Sequence, residues 1–451
     1  MPVMESVTLE NFRCFREKQT VKLAPLTLLV GENSTGKTSF LAMIYHLARL
    51  VDSGYTPDFK FPHDLGSFDE IVYNSGGRAA PARQFTIGYS PRALDPDADH
   101  GTQRQIARSV TFTKRGTAPA LVAHSLQSRD ESIDEKVHPD STYVAQLRRG
   151  DNRWTLEYPG PPGSEADLHS HTFGLRYALS HDAPFWESTL YDFVPDVDSP
   201  DFTLGDAEAL HELHRLMVHE NSPRPYWSAP VRSHPQRTYD PARSSRDPEG
   251  DHISMYLAEM ARDDEEEWHY LKQRIDKFGR DAGLFDELRV RLFGDSHIEP
   301  FQIQVRKEAK SVKGPFRNLI DVGYGVSQIL PLLVELLRRD GVQQYLLQQP
   351  EVHLHPSAQA SLGTRFCNAA ANGRQLIVET HSDHLMNRIR MDVRDEATAL
   401  QSDQVIILFF ERQDQDVRIH EITIDEQGNI CRAPDSYREF FRLESRRSLG
   451  L

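Results

Sequence analysis

The sequence predicts an α/β fold built on a parallel sheet, and three observations carry that prediction. A phosphate-loop pattern, Gly31-Glu-Asn-Ser-Thr-Gly36-Lys37-Thr38, lies between an apolar β-like run, Leu26-Thr-Leu-Leu-Val30, and a helix-periodic segment. In the second half, strand-like and helix-like segments alternate, the order expected of parallel strands joined by crossover helices. The chain has 451 residues, enough for roughly two or three packed units with a large core.

The elements follow in order. Val3 to Leu9 alternates like a strand, Glu10-Asn-Phe-Arg-Cys-Phe15 comes next, and Gln19 to Leu23 reads as a second strand. Phe40, Leu41, Ile44, Leu47 and Ala48 fall at helical spacing, which predicts a helix from Thr38 to Leu50. A middle block, about 91–225, has short β-like pieces (Ser109 to Thr113, Trp154 to Tyr158) between polar and Pro/Gly-rich stretches. A helix is expected there from Gly205 to Glu220. Asp263-Asp-Glu-Glu-Glu267 suits the first turn of a helix running through Ile275, where acidic groups meet the positive end of the helix dipole. Ile298 to Lys307 reads as a strand. After it come a glycine turn at Gly323 to Gly325, a helix from Ser327 to about Arg338 and a strand from Gln344 to Leu347. A helix after Pro356 and strands from Gln375 to Glu379 and Val405 to Phe410 complete the set. The expected division is 1–90, 91–225, 226–425 and a peripheral tail, 426–451. No heptad repeat is sustained and no internal repeat is visible, so a long coiled-coil arm is not expected.

Composition bounds the function. The net charge is −15, so the surface as a whole repels nucleic acid. Arg232, Arg237, Arg243 and Arg246 share a Pro/Ser/Asp-rich loop, Pro230 to Asp251, which reads as solvated or structural rather than phosphate-binding. The three cysteines, Cys14, Cys367 and Cys431, form no CxxC pair and argue against a structural zinc or a disulfide frame. No apolar run is long enough to span a bilayer, and Met1-Pro-Val-Met-Glu5 lacks the layout of a secretory signal. A cytoplasmic protein without membrane contact is expected.

The phosphate loop carries the chemistry. Its glycines let consecutive backbone N–H groups turn towards a phosphate at a helix N-terminus, where the dipole favours anions. Gly31, Asn33, Ser34, Thr35, Gly36, Lys37, Thr38 and Ser39 are the expected nucleotide contacts, with Lys37 on the β- and γ-phosphates and the Thr38 hydroxyl on Mg²⁺. The competing reading is a Gly/Ser turn that merely starts a helix; such a turn has no need of lysine at this position.

Three further segments narrow the reading: Asp321-Val-Gly-Tyr-Gly-Val-Ser-Gln-Ile-Leu-Pro331, Tyr345-Leu-Leu-Gln-Gln-Pro-Glu-Val-His-Leu-His-Pro356, and Ile377-Val-Glu-Thr-His-Ser-Asp-His-Leu385. In this order and spacing they resemble the ABC-type ATPase heads of the structural-maintenance-of-chromosomes and overcoming-lysogenisation-defect class, over about residues 1–75 and 225–425. The nearest look-alikes are bacterial ATPases carrying Glu-x-Pro-Glu-x-His-Leu-His-Pro and Glu-Thr-His-Ser, many of them in anti-phage defence modules. The resemblance implies an ABC/SMC-type head: a P-loop parallel sheet, an antiparallel β lobe and an inserted α+β region. It further implies ATP and Mg²⁺ as cofactors and a homodimer that closes on two ATP molecules, each head offering its signature turn to the other's nucleotide. Here that turn is Gly323, Gly325, Ser327 and Gln328. The family signature places serine before the second glycine pair, whereas this chain has Gly323-Tyr-Gly325 and serine at 327, so the donor stays open; a glycine-capped helix start with no ligand is the alternative. Arg13 matches an arginine that such heads place beside the nucleotide, or else is a surface arginine next to packed aromatics. His381 matches the histidine that senses the γ-phosphate. Gly66-Ser-Phe-Asp-Glu-Ile71 stands where the class links its metal site to the rest of the head, but holds no glutamine and is left unassigned.

The chain departs from the pattern at Gln348-Gln349, where the class has two acids, one for the Mg²⁺ shell and one that polarises the attacking water. A glutamine amide positions water but takes no proton and offsets no Mg²⁺ charge. Three accounts stay open: native slow turnover, a recruited base such as Glu351, or an engineered substitution that traps ATP. Slow or absent hydrolysis is expected, with Gln349, Glu351 and His381 as catalytic candidates and Thr38 and Gln348 at the metal. Another reading gathers His353, His355, His381, Asp383 and His384 as zinc ligands of a metallohydrolase.

The functional expectation is an ATP-driven switch controlling a separate effector protein, such as a nuclease, in anti-phage defence. After His384 the sequence shows none of the acid pairs of a fused toprim nuclease. The alternatives are a DNA-repair or maintenance ATPase that contacts nucleic acid directly, and a scaffold that keeps ATP as a fixed ligand.

Overall fold

Every residue of the strand β3 (Leu26–Gly31) is buried, as a continuous apolar run requires of a strand covered on both faces. The computed structural model describes residues 4–53, 59–76, 80–91, 107–127, 131–137, 142–149, 152–159, 225–240, 247–294, 296, 299–309 and 312–439. The chain divides into two compact units. One comprises Met1–Leu23, Glu32–Arg224 and Phe410–Ile419, the other Ala24–Gly31, Pro225–Phe409 and His420–Leu451.

The second unit contains most of a seven-stranded sheet. Its order is β10 (Tyr226–Ser228), β16 (Gln344–Gln348), β17 (Gln375–Glu379), β3, β18 (Val405–Gln413), β19 (Asp416–Ile424) and β20 (Ile430–Cys431). β10, β16, β17 and β3 are parallel neighbours. Their register sets Gln348 beside Glu379, and Glu379 beside Leu29. Three loops therefore leave one carboxyl edge, after Gly31, Gln348 and Glu379, and that edge is where open α/β sheets bind ligands. The crossovers are helices: α5 (Tyr324–Leu337) precedes β16, α6 (Pro356–Ala371) joins β16 to β17, and α7 (Asp383–Arg394) follows β17. β17 and the middle of β16 are wholly buried, and α5 buries eleven consecutive residues from Val326 to Leu336. A helix apolar on all sides belongs inside a core.

Local chemistry sets the boundaries. Ser382 caps α7 by accepting the Leu385 N–H, and His355 with Pro356 opens α6. α3 (His252–Asp263) and α4 (Glu265–Asp281) pack with a small antiparallel sheet, β11 (Glu287–Leu292), β12 (Phe301–Arg306) and β15 (Arg317–Asn318). Asp264 caps α4, and Glu265 to Glu267 form its acidic first turn, as the charge run predicts. β13 (Glu308–Ala309) and β14 (Val312–Lys313) form a separate two-stranded ladder.

The first unit carries an eight-stranded antiparallel sheet. Its order is β2 (Gln19–Lys22), β1 (Met4–Glu10), β4 (Gln84–Pro91), β5 (Ala107–Arg115), β6 (Ala118–Gln127), β7 (Glu131–Val137), β8 (Thr142–Arg149) and β9 (Asn152–Pro159). From β4 onward each strand pairs with the next, and β4 returns to pair with β1, so the sheet runs straight across position 90. Phe12, Phe59, Phe68, Phe85 and Phe112 are buried together, with Phe85 stacked on Phe112 at 5.1 Å and Phe59 edge-on to it at 5.3 Å. Such tilted aromatic pairs add stabilisation beyond their buried area. α1 (Lys37–Ser53) and the short α2 (Phe68–Ile71) also belong to this unit.

The α/β class, the parallel P-loop sheet and the antiparallel lobe are all present. The expected helix from Gly205 to Glu220 lies outside the described residues. Two expectations change. The β-like pieces at 109–113 and 154–158 are parts of one long meander rather than isolated strands, because alternate positions such as Val110 and Phe112 bury one face. The tail is not peripheral at its start: β20 pairs with β19, and Tyr437 is buried edge-on against Phe409 at 5.2 Å.

Candidate nucleotide site

The phosphate loop belongs to the first unit from Glu32 onward and is closed on itself. Lys37 is 3% exposed and its ammonium donates to the Glu32 carbonyl at 2.6 Å, while the buried Thr35 hydroxyl donates to the same oxygen at 2.8 Å. A lysine folded onto its own loop carbonyl is held where an anion can take over the contact. Ser34 and Gly36 have φ of +61° and +83°, the left-handed turns that aim successive N–H groups inward as an anion-binding nest. Gly36 is glycine for a second reason: a Cβ there lies 2.5 Å from the Cys14 sulfur. α1 starts at Lys37, and the Phe40 N–H donates to the Gly36 carbonyl at 2.8 Å. Glu32, Asn33 and Ser34 are exposed and Thr38 and Ser39 half-buried, so the loop presents its rim to solvent. Gly31, the strand end before it, has φ +147°.

These features fit a polyphosphate: backbone donors, a positive helix terminus and a lysine already inside the loop. Mg²⁺ is less well provided for. Thr38 and Gln348, the expected metal contacts, are both neutral, so among these residues negative charge for the ion has to come from the nucleotide's own phosphates.

Arg13 is turned to another task than the expected nucleotide contact. Its guanidinium donates to the carbonyls of Leu65 at 2.9 Å and Glu70 at 3.1 Å, and its backbone N–H donates to Ile71 at 2.7 Å. It fastens the segment left unassigned in the sequence, where Ser67 and Glu70 form the capping box of α2. Arg412 escaped the sequence reading: its guanidinium donates to the Ser34 carbonyl of the phosphate loop. Nothing in its local pattern marks it, since the contact spans 378 residues.

The second unit brings together Gln348, Gln349, Glu351 and His381 at the ends of β16 and β17. Gln349 adopts φ +41° and His353 φ +68°, and two non-glycine residues in that region within five positions mark a strained turn. The Gln349 N–H donates to the Glu379 carbonyl at 2.8 Å, which ties the glutamine pair to β17. Glu351 is 7% exposed; its Oε1 accepts the His381 backbone N–H at 2.8 Å, while Oε2 is buried without a hydrogen-bond donor. Burial pushes the Glu351 carboxyl above its ordinary range, and that outweighs the His381 and Glu351 N–H groups, the Thr380 hydroxyl and the Arg232 charge, which all pull it down. A carboxylate held up in this way is suited to accept a proton. His381 itself is exposed, its backbone fixed by Thr380, whose hydroxyl accepts the Ser382 N–H at 3.0 Å.

The signature turn is only partly open. Gly323, the residue before α5, is exposed with free space around it. Gly325 is half-buried and allows close approach: a Cβ there lies 2.7 Å from the His353 carbonyl. Ser327 is buried, its hydroxyl donating back to Tyr324 O at 2.8 Å. Gln328 is fully buried, its amide exchanging hydrogen bonds with the backbone of Arg232 at 2.8 and 3.1 Å. Neither side chain faces outward as a nucleotide donor, because both are spent holding α5 in place. Tyr324, which the sequence reading passed over, is half-buried, edge-on to His353 at 4.9 Å and beside His234 at 5.6 Å.

The zinc reading finds no geometry: among the described residues no three His, Cys, Asp or Glu groups are arranged to hold a metal ion. His355 is instead engaged with Ser357 at the start of α6. Of the loop arginines, Arg232 is buried and Arg237 pairs with Asp321 at 2.6 Å; Arg243 and Arg246 lie outside the described residues.

Residues 4–75 match the family model described as "AAA ATPase domain", and residues 174–387 the one described as "AAA domain, putative AbiEii toxin, Type IV TA system". The chain is similar to AAA-type ATPases over both stretches, the second of which begins inside the middle block. A curated relative, the DNA replication and repair protein RecF of an Exiguobacterium species, is 25% identical over 154 residues, which cover 32% of this chain and 40% of the relative. Among solved structures, an Smc head bound to the C-terminal winged-helix domain of ScpA is 12% identical with a TM-score of 0.46, over 94% of this chain and 98% of that one. A Pyrococcus furiosus Smc head with an extended coiled coil, bound to the C-terminal domain of ScpA, is 12% identical with a TM-score of 0.44, covering 99% and 100%. The SMC head domain from Thermotoga maritima is 10% identical with a TM-score of 0.39, covering 93% and 98%. No helix among the described residues is long and apolar enough to cross a membrane.

Proposed function

We propose that this chain is an ATP-binding switch that closes head to head on ATP, hydrolyses it slowly and controls a separate effector protein, in bacterial anti-phage defence. The observation that carries the reading is the closed phosphate loop, with Lys37 and Thr35 converging on one carbonyl beneath left-handed Ser34 and Gly36. ATP is the expected ligand, held by Gly31 to Ser39 through backbone donors and Lys37. Mg²⁺, when bound, supplies charge neutralisation on the phosphates. Thr38 and Gln348 are the residues of this chain proposed to face it. Gln349 orients water, Glu351 accepts the proton, and His381 stands at the end of β17 to meet the γ-phosphate. With Gln348 and Gln349 where the class has two acids, the buried Glu351 carboxylate is the proposed base, which accounts for slow turnover. Gly323 and the first turn of α5 are proposed to face the nucleotide of a second copy. The cytoplasm is the proposed location.

Light scattering with and without ATP and Mg²⁺ tests the switch: the mass doubles with ATP and stays monomeric for Lys37→Ala. A monomer under both conditions removes the head-to-head mechanism. A second reading, direct action on DNA, is favoured by the likeness to RecF and opposed by the net charge of −15. DNA-stimulated hydrolysis that falls steeply with salt supports it over effector control.

A further inference from the structure

Arg412 stands on a strand pair that is fastened to the phosphate loop. The facing ends of β18 and β19, Phe410 to Ile419, belong to the first unit. Phe410 is buried edge-on to Phe40 of α1 at 5.4 Å and to Phe15 at 6.1 Å. The Val417 N–H donates to the Cys14 carbonyl at 2.9 Å. The Gln19 amide brackets the same strand, donating to the Val417 carbonyl at 2.8 Å and accepting the Ile419 N–H at 2.9 Å. Cys14 in turn lies under Gly36, and its thiol donates to the Thr35 carbonyl at 3.7 Å. From this platform the Arg412 Nη2 donates to the Ser34 carbonyl. Ser34, Thr35 and Gly36 are thus each met by the strand pair or by the turn it is tied to.

Holding a carbonyl does not require a cation; a neutral donor serves as well. Arg412 is exposed, and the Ser34 carbonyl is the acceptor that the described residues give it. A guanidinium has further donors in a planar fork that fits phosphate oxygens. The loop itself has no net positive charge, because Gly31 to Ser39 holds one cation, Lys37, and one anion, Glu32. In a chain of net charge −15, capture of a polyphosphate needs local positive charge, and Arg412 supplies it. Its position selects the phosphate. A loop of this kind cradles the inner phosphates on its backbone N–H groups and sends its lysine to the outer ones. Arg412 arrives at the exposed rim, at Ser34, rather than at Thr38 and Ser39 where α1 begins.

We infer that Arg412 is a specificity-determining residue that binds the terminal phosphate of a nucleoside triphosphate and so lets the loop tell a triphosphate from a diphosphate. The inference rests on the proposed ATP-binding reading and completes that site with a residue 378 positions from Ser34. With the triphosphate bound, Nη2 keeps Ser34 in its left-handed turn while the rest of the fork takes terminal oxygens. Loss of the terminal phosphate removes that contact and leaves the backbone and Lys37 contacts in place.

Calorimetric titration of the full chain with ATP and with ADP, each with Mg²⁺, tests the inference in wild type and Arg412→Gln. Glutamine keeps an N–H donor for the Ser34 carbonyl and removes the charge. The variant is expected to bind ATP about tenfold or more weakly and to lose no more than about threefold for ADP. Equal losses for the two nucleotides, or no loss for either, overturn the inference, because a merely structural clasp on Ser34 acts on both alike. If the glutamine variant does not fold, Arg412→Lys carries the comparison. It keeps the charge without the fork, and its loss is expected to be smaller but again greater for ATP than for ADP. Binding of neither nucleotide by wild type overturns the ATP-binding reading and the inference with it. Intact wild-type binding with an unselective loss in the variant overturns the inference alone.

Discussion

Glycine at 36 is fixed twice, by its φ of +83° and by the Cys14 sulfur beneath it. Gly36→Ala is expected to cost about 1–3 kcal/mol in thermal or urea unfolding, with nucleotide binding impaired as well. Lys37→Ala removes a charge-assisted contact and is expected to weaken ATP binding about tenfold to a hundredfold, read by fluorescence titration. Gln349→Glu restores a carboxylate where the class has one, and turnover is expected to rise by about tenfold or more; an unchanged rate assigns the proton to Glu351 alone. At this scale the sequence was readable where a residue's contacts lie close in the chain, as with Lys37 on the Glu32 carbonyl. It was unreadable where partners are distant. Gln328 looks like an exposed donor in Gly323-Tyr-Gly-Val-Ser-Gln and is instead buried against Arg232, 96 residues away. Arg412 on Ser34 leaves no local trace of any kind.

Periodicity located the elements well because burial on both faces of β3, β16 and β17 leaves continuous apolar runs of the right length. It failed in the middle block, where β5 buries only Val110 and Phe112 among its nine residues and so reads as a fragment. The loop before α3 shows how much polar sequence can hide. His252 is 6% exposed, with Nδ1 at 3.1 Å from Asp247 and Nε2 at 2.9 Å from Glu335, and this network joins the start of α3 to the last turn of α5. Burial alone would lower the His252 pKa, but the hydrogen bonds to Asp247 and Glu335 and their charges overcome it and raise the value. The sign follows: the stabilisation is fully present below the unfolded-state value near 6.5 and is lost as pH rises through the higher folded-state value. Asp247 has the opposite sense. Burial works to raise its pKa, but the His252 hydrogen bond and local N–H groups pull it down to about 2, so its contribution fades as pH falls from about 4 towards 2. Urea unfolding from pH 5.5 to 9 is therefore expected to show a gap between wild type and His252→Gln that is largest at the acid end and narrows with rising pH. A gap that widens instead contradicts the charged pairing.

At the scale of the whole molecule, each unit carries features of its own. One provides a closed phosphate loop beside an antiparallel lobe; the other provides a buried carboxylate, an exposed histidine and a glycine turn at the edge of a parallel sheet. The order of these pieces along the chain was legible because each lies in a short motif at the end of a strand. The burial of Arg232 was not, since it sits in a loop that composition alone marks as solvated. The central claim is that this chain is built to hold ATP and to hydrolyse it slowly. The direct measurement is the nucleotide retained on purified protein over time, after loading with ATP labelled at the γ-phosphate and with Mg²⁺. The account predicts close to one ATP per wild-type chain, still largely unhydrolysed after many minutes, with Lys37→Ala retaining almost none. Failure of wild-type protein to retain nucleotide, or its complete conversion to ADP within seconds, contradicts it.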